Sequence, residues 1–281
     1  MLVDSHCHLD FGMFDQDRDA VLERARVAGV RYIINPGYNV ASSRRAVRLA
    51  ERHDEVYAAV GVHPHEAKTL GDEGLADLRQ LAAHPKVVAI GEIGLDFYRD
   101  LSARDVQGQA FRAQLRLASE TGLPVVVHSR DAHEEVMSIL TEWTGEGRAD
   151  AGTPASRGVL HAFSGDRRMA DQAFEIGFSL GVAGPVTFRN AGGLRTVIGM
   201  SPLERMLLET DAPYLTPHPY RGRRNEPERV SLVANAVAEL LGLATEVVAR
   251  ETSANACRLF DLPREHPDLN DSQGSPLLIE E

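Results

Sequence analysis

Short runs of β-branched and aliphatic residues recur along the chain, each followed by a longer stretch whose apolar positions return every three or four residues. Eight such runs predict strands, over residues 1–8, 30–36, 56–62, 86–92, 123–128, 158–161, 177–182 and 205–211. Between them, groups such as Phe111, Leu115 and Ala118, or Val136, Met137, Ile139 and Leu140, mark helix faces. Alternating strands and helices specify a parallel sheet, and no glycine-rich phosphate fingerprint follows the first run. Eight units in about 250 residues therefore predict an α/β protein, a single (β/α)8 TIM barrel rather than an open doubly wound sheet.

Towards the C-terminus Leu232, Val233, Ala236, Val237, Leu240 and Leu241 make one apolar stripe, and residues 244–260 can form a final helix with Thr245 and Glu246 near its start. From residue 263 the composition turns to Pro, Asp, Asn, Ser and Gly. This predicts a barrel domain of residues 1–262 followed by a flexible tail, 263–281. Residues 144–157, rich in Gly and Ala, predict a surface loop between the fifth helix and the sixth strand.

Charge narrows the function. The 281 residues include 41 acidic and 30 basic side chains, leaving 11 net negative charges. That balance argues against a protein that coats nucleic acid by neutralising many phosphates, but it leaves room for an enzyme that grips one phosphodiester through metal ions. The basic groupings Arg44, Arg45 and Arg48, Arg167 and Arg168, and Arg221, Arg223 and Arg224 read first as solvated faces. Two cysteines, Cys7 and Cys257, cannot build a disulfide framework and fit a reducing compartment. No apolar run approaches the roughly 18 residues of a membrane span, and the start lacks the pattern of a signal peptide. The expectation is a soluble, cytoplasmic protein with no membrane contact and no obligate protein partner.

In such a barrel the chemistry sits at the C-terminal ends of the strands. There the first strand ends in His6-Cys7-His8, the third runs into His63-Pro64-His65, the fourth ends at Glu92, the fifth at His128, the sixth at His161 and the eighth at Asp211. Residues two apart on a strand share a face about 7 Å apart, so His6 and His8 can converge on one ion while Cys7 points away into packing. Glu92 continues the face of Val88 and Ile90, His128 that of Val126, His161 that of Val159, and Asp211 that of Leu207 and Glu209. Any one of these alone reads as a hydrogen-bonded core residue. Together they put four imidazoles and two carboxylates in one barrel mouth, more donors than one tetrahedral ion uses, and a bridging carboxylate lets two ions sit about 3.5–4 Å apart. Glu92 is the natural bridge, with His6, His8, Glu92 and Asp211 on one ion and Glu92, His128 and His161 on the other. Glu209, one layer deeper, suits either a hydrogen-bond partner that orients a ligand or an ordinary buried ion pair.

These residues lie in segments that resemble the TatD-type metal-dependent hydrolases, a branch of the amidohydrolase-like barrels. They are DSHCHLD at 4–10, GVHPH at 61–65, GEIGLDFY at 91–98, VHSRD at 127–131, HAFSG at 161–165 and ETDAPYLTP at 209–217. The resemblance continues through Ser253-Ala254-Asn255 and Leu259-Phe260, covering residues 1 to about 262. It implies a TIM barrel, divalent metal, and hydrolysis of phosphodiesters in DNA by an exonuclease-like activity on single strands, with His6, His8, Glu92, His128, His161 and Asp211 as the metal ligands.

The expected chemistry is that of a deoxyribonuclease with two divalent ions, Mg, Mn or Zn, which polarise a phosphoryl oxygen and lower the pKa of water toward roughly 7 for in-line attack. Imidazole-rich ligation favours the softer metals, and the family analogy favours Mg. Asp211 would orient the water and accept its proton. His63 is a candidate phosphate contact or proton donor to the leaving oxygen, or alternatively a cap on the helix that follows. Arg221 could clamp a phosphate or form a loop ion pair, and Tyr220 could stack on a base or pack within its loop. DNA is the expected substrate, with single-stranded DNA or RNA as variants. The rival readings are an amidohydrolase-like enzyme on a small cyclic amide, ester or phosphoester, and a metal-bound interaction scaffold without turnover.

Overall fold

A computed structural model describes residues 1–145 and 157–263. Among them eight strands alternate with helices: β1 Leu2–Asp4, α1 Arg18–Val27, β2 Val30–Pro36, α2 Val40–Ala50, β3 Val56–Val60, α3 Asp72–Ala82, β4 Val87–Asp96, α4 Arg104–Thr121, β5 Val125–Arg130, α5 His133–Gly145, β6 Gly158–Leu160, α6 Arg167–Glu175, β7 Phe178–Val182, α7 Gly192–Met200, β8 Met206–Leu208, α8 Val230–Leu241 and α9 Thr245–Leu259. Each strand pairs in parallel with the next, in the order β1 to β8. The expected tail lies outside the described residues from 264 onward, as do residues 146–156 of the expected loop.

Local chemistry sets these boundaries. Asn39 caps α2 by accepting the Ser42 N–H, and Asp166 caps α6 by accepting the Met169 N–H at 2.9 Å. Gly122 and Gly242 stop α4 and α8 in the left-handed conformation. The expected faces of α4 and α5 are buried, whereas the stripe on α8 is rotated: Val230, Val233, Ala234, Val237 and Ala238 are buried, and Leu232, Leu240 and Leu241 only partly.

Strand alternation sorts side chains into two apolar layers. Ile33, Val60, Ile90, Val125, Val127, Leu160 and Leu208 pack outward against the helices. Val3, Ile34, Ala59, Ala89, Val126, Val159 and Leu207 fill the barrel, and Cys257, Leu259, Phe260 and Leu262 join them from the end of α9. Asn255 fixes that end by donating to the carbonyls of Leu203 and Met206, so α9 plugs the face where the strands begin. Both cysteines are buried thiols, Cys7 in the outer layer and Cys257 in the plug.

The expected face of β4 needs correction. Val88 lies inside the barrel but Ile90 lies outside it, because the register of β4 shifts against β3 at Ala58/Ala59 and against β5 between Ile90 and Ile93. Glu92 reaches the mouth through these bulges rather than through strict alternation, and the strand continues past it to Asp96. Strands β1 and β8 are shorter than expected, so His6, His8 and Asp211 stand on the chain just beyond them.

No single helix among the described residues is long and apolar enough to cross a membrane. Phe260 is the largest ring in the plug and is 1% exposed. Truncating it to alanine is expected to cost about 3–5 kcal/mol in urea unfolding, with the mouth chemistry of the folded protein intact.

Candidate metal centre

The sheet closes at the mouth. Past the ends of β1 and β8, Ser5 N–H donates to Leu208, Asp211 N–H to His6 and His8 N–H to Ala212, at 3.0, 2.8 and 2.8 Å. Buried Asp4 reinforces this seam by accepting the Thr210 backbone N–H at 2.9 Å and its hydroxyl at 2.6 Å. Burial pushes the Asp4 carboxyl up to about 8 despite these donors. The seam thereby sets His6 and His8 beside Asp211. Asp211 itself has φ 55°, a left-handed conformation that aspartate tolerates better than most residues.

Around this seam the structure brings His6, His8, Glu92, His128, His161 and Asp211 together in one mouth. The Nε2 atoms of His6 and His8 face each other at 3.2 Å. Glu92 Oε2 lies 3.4 Å from His6 Nε2 and 3.7 Å from His8 Nε2, and Asp211 Oδ1 lies 3.8 and 3.5 Å from the same atoms. The other Glu92 oxygen, Oε1, lies 3.0 Å from His128 Nδ1, 3.5 Å from His63 Nε2 and 3.8 Å from His161 Nε2. His161 Nε2 is also 3.8 Å from Asp211 Oδ1, midway between the two carboxylates. Donors around one ion stand about 3.0–3.4 Å apart, given ligand distances near 2.1 Å. The separations found here are close to that spacing and mostly longer than a hydrogen bond, so this donor set fits divalent metal.

Charge is shared across the mouth. Burial raises the cost of ionising Glu92 and Asp211, but the surrounding imidazoles outweigh it and hold both below their ordinary values, Glu92 well below. Burial likewise opposes charge on His161, yet Glu209, whose Oε1 lies 2.8 Å from Nδ1, pushes its pKa up to about 10. Glu209 is fully buried and also accepts from Ser5 Oγ at 3.2 Å and the Ala162 N–H at 2.5 Å. Gly181 on β7 makes room for it, since a Cβ there would meet Glu209 Oε2 at 2.5 Å.

His63 takes the capping position that was one of its two expected readings. Its Nδ1 accepts the His65 N–H at 3.1 Å, capping the turn that begins at Pro64, and burial lowers its pKa well below the ordinary histidine value. A neutral ring that accepts at Nδ1 carries its proton on Nε2, the atom turned toward Glu92. Its Nε2 is therefore a donor, unlike a ligating nitrogen, which needs a free lone pair.

Several participants escaped the sequence reading. Asp96 is buried and accepts from His128 Nε2 at 3.1 Å, His65 Nε2 at 2.9 Å and the N–H groups of Tyr98 and Arg99 at 3.1 and 2.8 Å. It turns His128 so that Nδ1 faces Glu92. Gln107 on α4 anchors it through both backbone groups, at 2.8 and 3.1 Å. Asp10 accepts from Asn35, Ser42 and Arg45 and ties the β1 and β2 loops together. The available signal was placement: Asp4 and Asp10 bracket the His6-Cys7-His8 run, and Asp96 lies four residues beyond Glu92 on the same strand.

Arg221 and Tyr220 pack against neighbouring side chains, Tyr220 as the second of its two expected readings allows. The Arg221 guanidinium lies 4.1 Å over the Phe188 ring, and Tyr220 packs under Arg229 at 4.9 Å and Arg223 at 5.8 Å. Among the described residues no hydrogen bond, ion pair or ring contact links either to the six mouth residues. Other arginines of the basic groupings are paired: Arg44 with Asp77, Arg45 with Asp10, Arg167 with Asp171 and Arg224 with Asp17.

The family model for TatD related DNase matches residues 3–261. YabD of Bacillus subtilis, an uncharacterized metal-dependent hydrolase, is 43% identical over 260 residues, covering 92% of this chain and 99% of its own. A 3'-5' ssDNA/RNA exonuclease TatD of Erwinia billingiae is 40% identical over 269 residues, covering 93% of this chain and all of its own, 100%. The crystal structure of YJJV, a TatD homologue of Escherichia coli K12, superposes with a TM-score of 0.86 at 35% identity, over 93% of this chain and 98% of that one. Matched from β1 to the end of α9, with its histidines and carboxylates gathered at the barrel mouth, the chain belongs to the TatD family of metal-dependent hydrolases.

Proposed function

We propose that the chain is a phosphodiesterase of two-metal type, an exonuclease-like enzyme acting on DNA, with single-stranded DNA or RNA as the natural form of substrate. The observation that carries this reading is the divided Glu92 carboxylate, with Oε2 turned to His6 and His8 and Oε1 to His128 and His161. In this reading His6, His8, Glu92 and Asp211 hold one ion, and Glu92, His128 and His161 hold the other. Relatives named as ssDNA/RNA exonucleases, at about 40% identity, support the substrate class. The donor set suits Mn or Zn by its imidazoles and admits Mg by its carboxylates.

Bound divalent ions supply Lewis-acid polarisation of a phosphoryl oxygen and a water pKa lowered toward roughly 7. The chain's own residues handle the protons. Asp211, ionised and open at one side of the mouth, orients water for in-line attack and takes the proton released as the new oxygen–phosphorus bond forms. His63, neutral with its hydrogen on Nε2, would steady the departing oxygen by a hydrogen bond, and the proton taken up by Asp211 returns through water to that oxygen as its bond to phosphorus breaks. Glu209 and Asp96 act through other residues, fixing the rings of His161 and His128 so that one nitrogen of each faces the centre. The intact donor set argues against a scaffold without turnover.

Two variants test the assignment. Glu92→Ala is expected to lower metal-dependent hydrolysis of a single-stranded oligonucleotide on the order of 10³-fold, with an unchanged circular dichroism spectrum. Wild-type rates at matched metal occupancy would remove Glu92 from the bridge. Glu209→Gln keeps every direct donor and is expected to weaken metal binding roughly 10–100-fold in a calorimetric titration, whereas an unchanged titration would reduce Glu209 to a packing role.

A further inference from the structure

Three aromatic side chains at the lip of the barrel belong to neither apolar layer. Phe11, four residues before an N-terminal helical turn ends at Asp15, lies face to face on the His8 ring, with centroids 4.6 Å apart and planes 21° apart. Tyr38, at the end of β2, meets Phe11 edge-on at 5.3 Å, and Tyr214 meets it from the β8 side at 6.1 Å. None of the three packs into the core clusters, and Tyr214 is 53% exposed.

This lip is held in place. The Tyr38 N–H donates to Ser42 Oγ at 3.3 Å, its carbonyl accepts the His63 N–H at 3.0 Å, and Arg45, paired with Asp10, lies 5.9 Å over its ring. Tyr214 N–H donates to the Asp211 carbonyl at 2.8 Å, which places the tyrosine one turn from that carboxylate. An aromatic group left out of the core, kept rigid and stacked on a residue of the metal centre suits a flat ligand whose attached anion reaches that centre.

We propose that Phe11, Tyr38 and Tyr214 form a stacking subsite for a nucleobase at the end of a single strand, positioning the adjacent phosphodiester over His8 and Asp211. The inference rests on the phosphodiesterase reading above and adds to it where the base is held. Every base has a π-face, so such a subsite grips the end of a strand without reading its sequence. Tyr220, for which base stacking and loop packing were both open, packs against Arg223 and Arg229.

The test compares wild type, Tyr214→Phe and Tyr214→Ala, all metal-loaded, on two single-stranded oligodeoxynucleotides that differ only in lacking bases at the last two 3' nucleotides. Tyr214→Ala is expected to raise KM roughly 10-fold on the intact strand, Tyr214→Phe to behave as wild type, and all three to converge on the abasic strand. An equal loss on both strands, or no loss on either, would overturn the subsite. A second measurement uses an oligonucleotide ending in 2-aminopurine, protected from cleavage by phosphorothioate linkages. Its fluorescence is expected to be quenched on binding wild type and Tyr214→Phe but not Tyr214→Ala, and identical quenching by all three would overturn the proposal. If wild type fails to cleave the intact strand while quenching still depends on Tyr214, the phosphodiesterase reading fails and the subsite stands.

Discussion

The hydrogen bonds that join the chain beyond β1 to the chain beyond β8 close the barrel and assemble its chemistry in the same act. Ser5, His6 and His8 bond to Leu208, Asp211 and Ala212, so the two histidines and the aspartate become neighbours only when the first and last strands meet. Each such bond contributes about 0.5–1.5 kcal/mol net, but a buried donor left without its acceptor costs about 1–3 kcal/mol. Asp4, satisfying both donors of Thr210, therefore does more to secure the seam than any single backbone bond. The opposite face is closed separately by α9, whose Asn255 bonds to the chain leading into β8.

Within the mouth, Glu92 organises the charges. Two bulges in β4 bring it inward, and Gly94, at φ 139°, allows that strand to pass His128 where a Cβ would lie 2.0 Å from the His128 carbonyl oxygen. Imidazoles on both sides keep the carboxylate ionised against the cost of burial. Glu209 and Asp96 then act as a matched pair of anchors, one behind His161 and one behind His128. His63 stands apart from the other imidazoles because the His65 amide occupies its Nδ1. His63 is thereby set apart from the ligating imidazoles, with its hydrogen on Nε2 and placed to bond a leaving oxygen.

Much of this was legible in the sequence because a strand's period of two and a barrel's one-ended chemistry leave few places for ionisable residues. His6, His8, His128 and His161 could be set on inward faces by alternation, whereas Asp211 lies past β8 in a left-handed conformation that alternation does not encode. Glu92 was placed correctly by wrong geometry: Val88, Ile90 and Glu92 do not share a face, since bulges add residues that periodicity cannot count. Asp96 and Asp4 went unrecognised because their partners, His128 and Thr210, are distant in sequence and their roles are hydrogen-bonding geometry rather than pattern. The rim was least legible. Which of Tyr220, Tyr214 and Phe11 faces the mouth depends on loop conformation, which apolar periodicity does not encode.

The central claim is that one carboxylate, Glu92, joins two ion sites. Anomalous diffraction from crystals of the protein loaded with Mn²⁺ tests it most directly. The account expects two manganese peaks about 3.5–4 Å apart, one beside His6 and His8 and one beside His128, with Glu92 between them. A single peak, or two peaks that Glu92 does not contact, would contradict it.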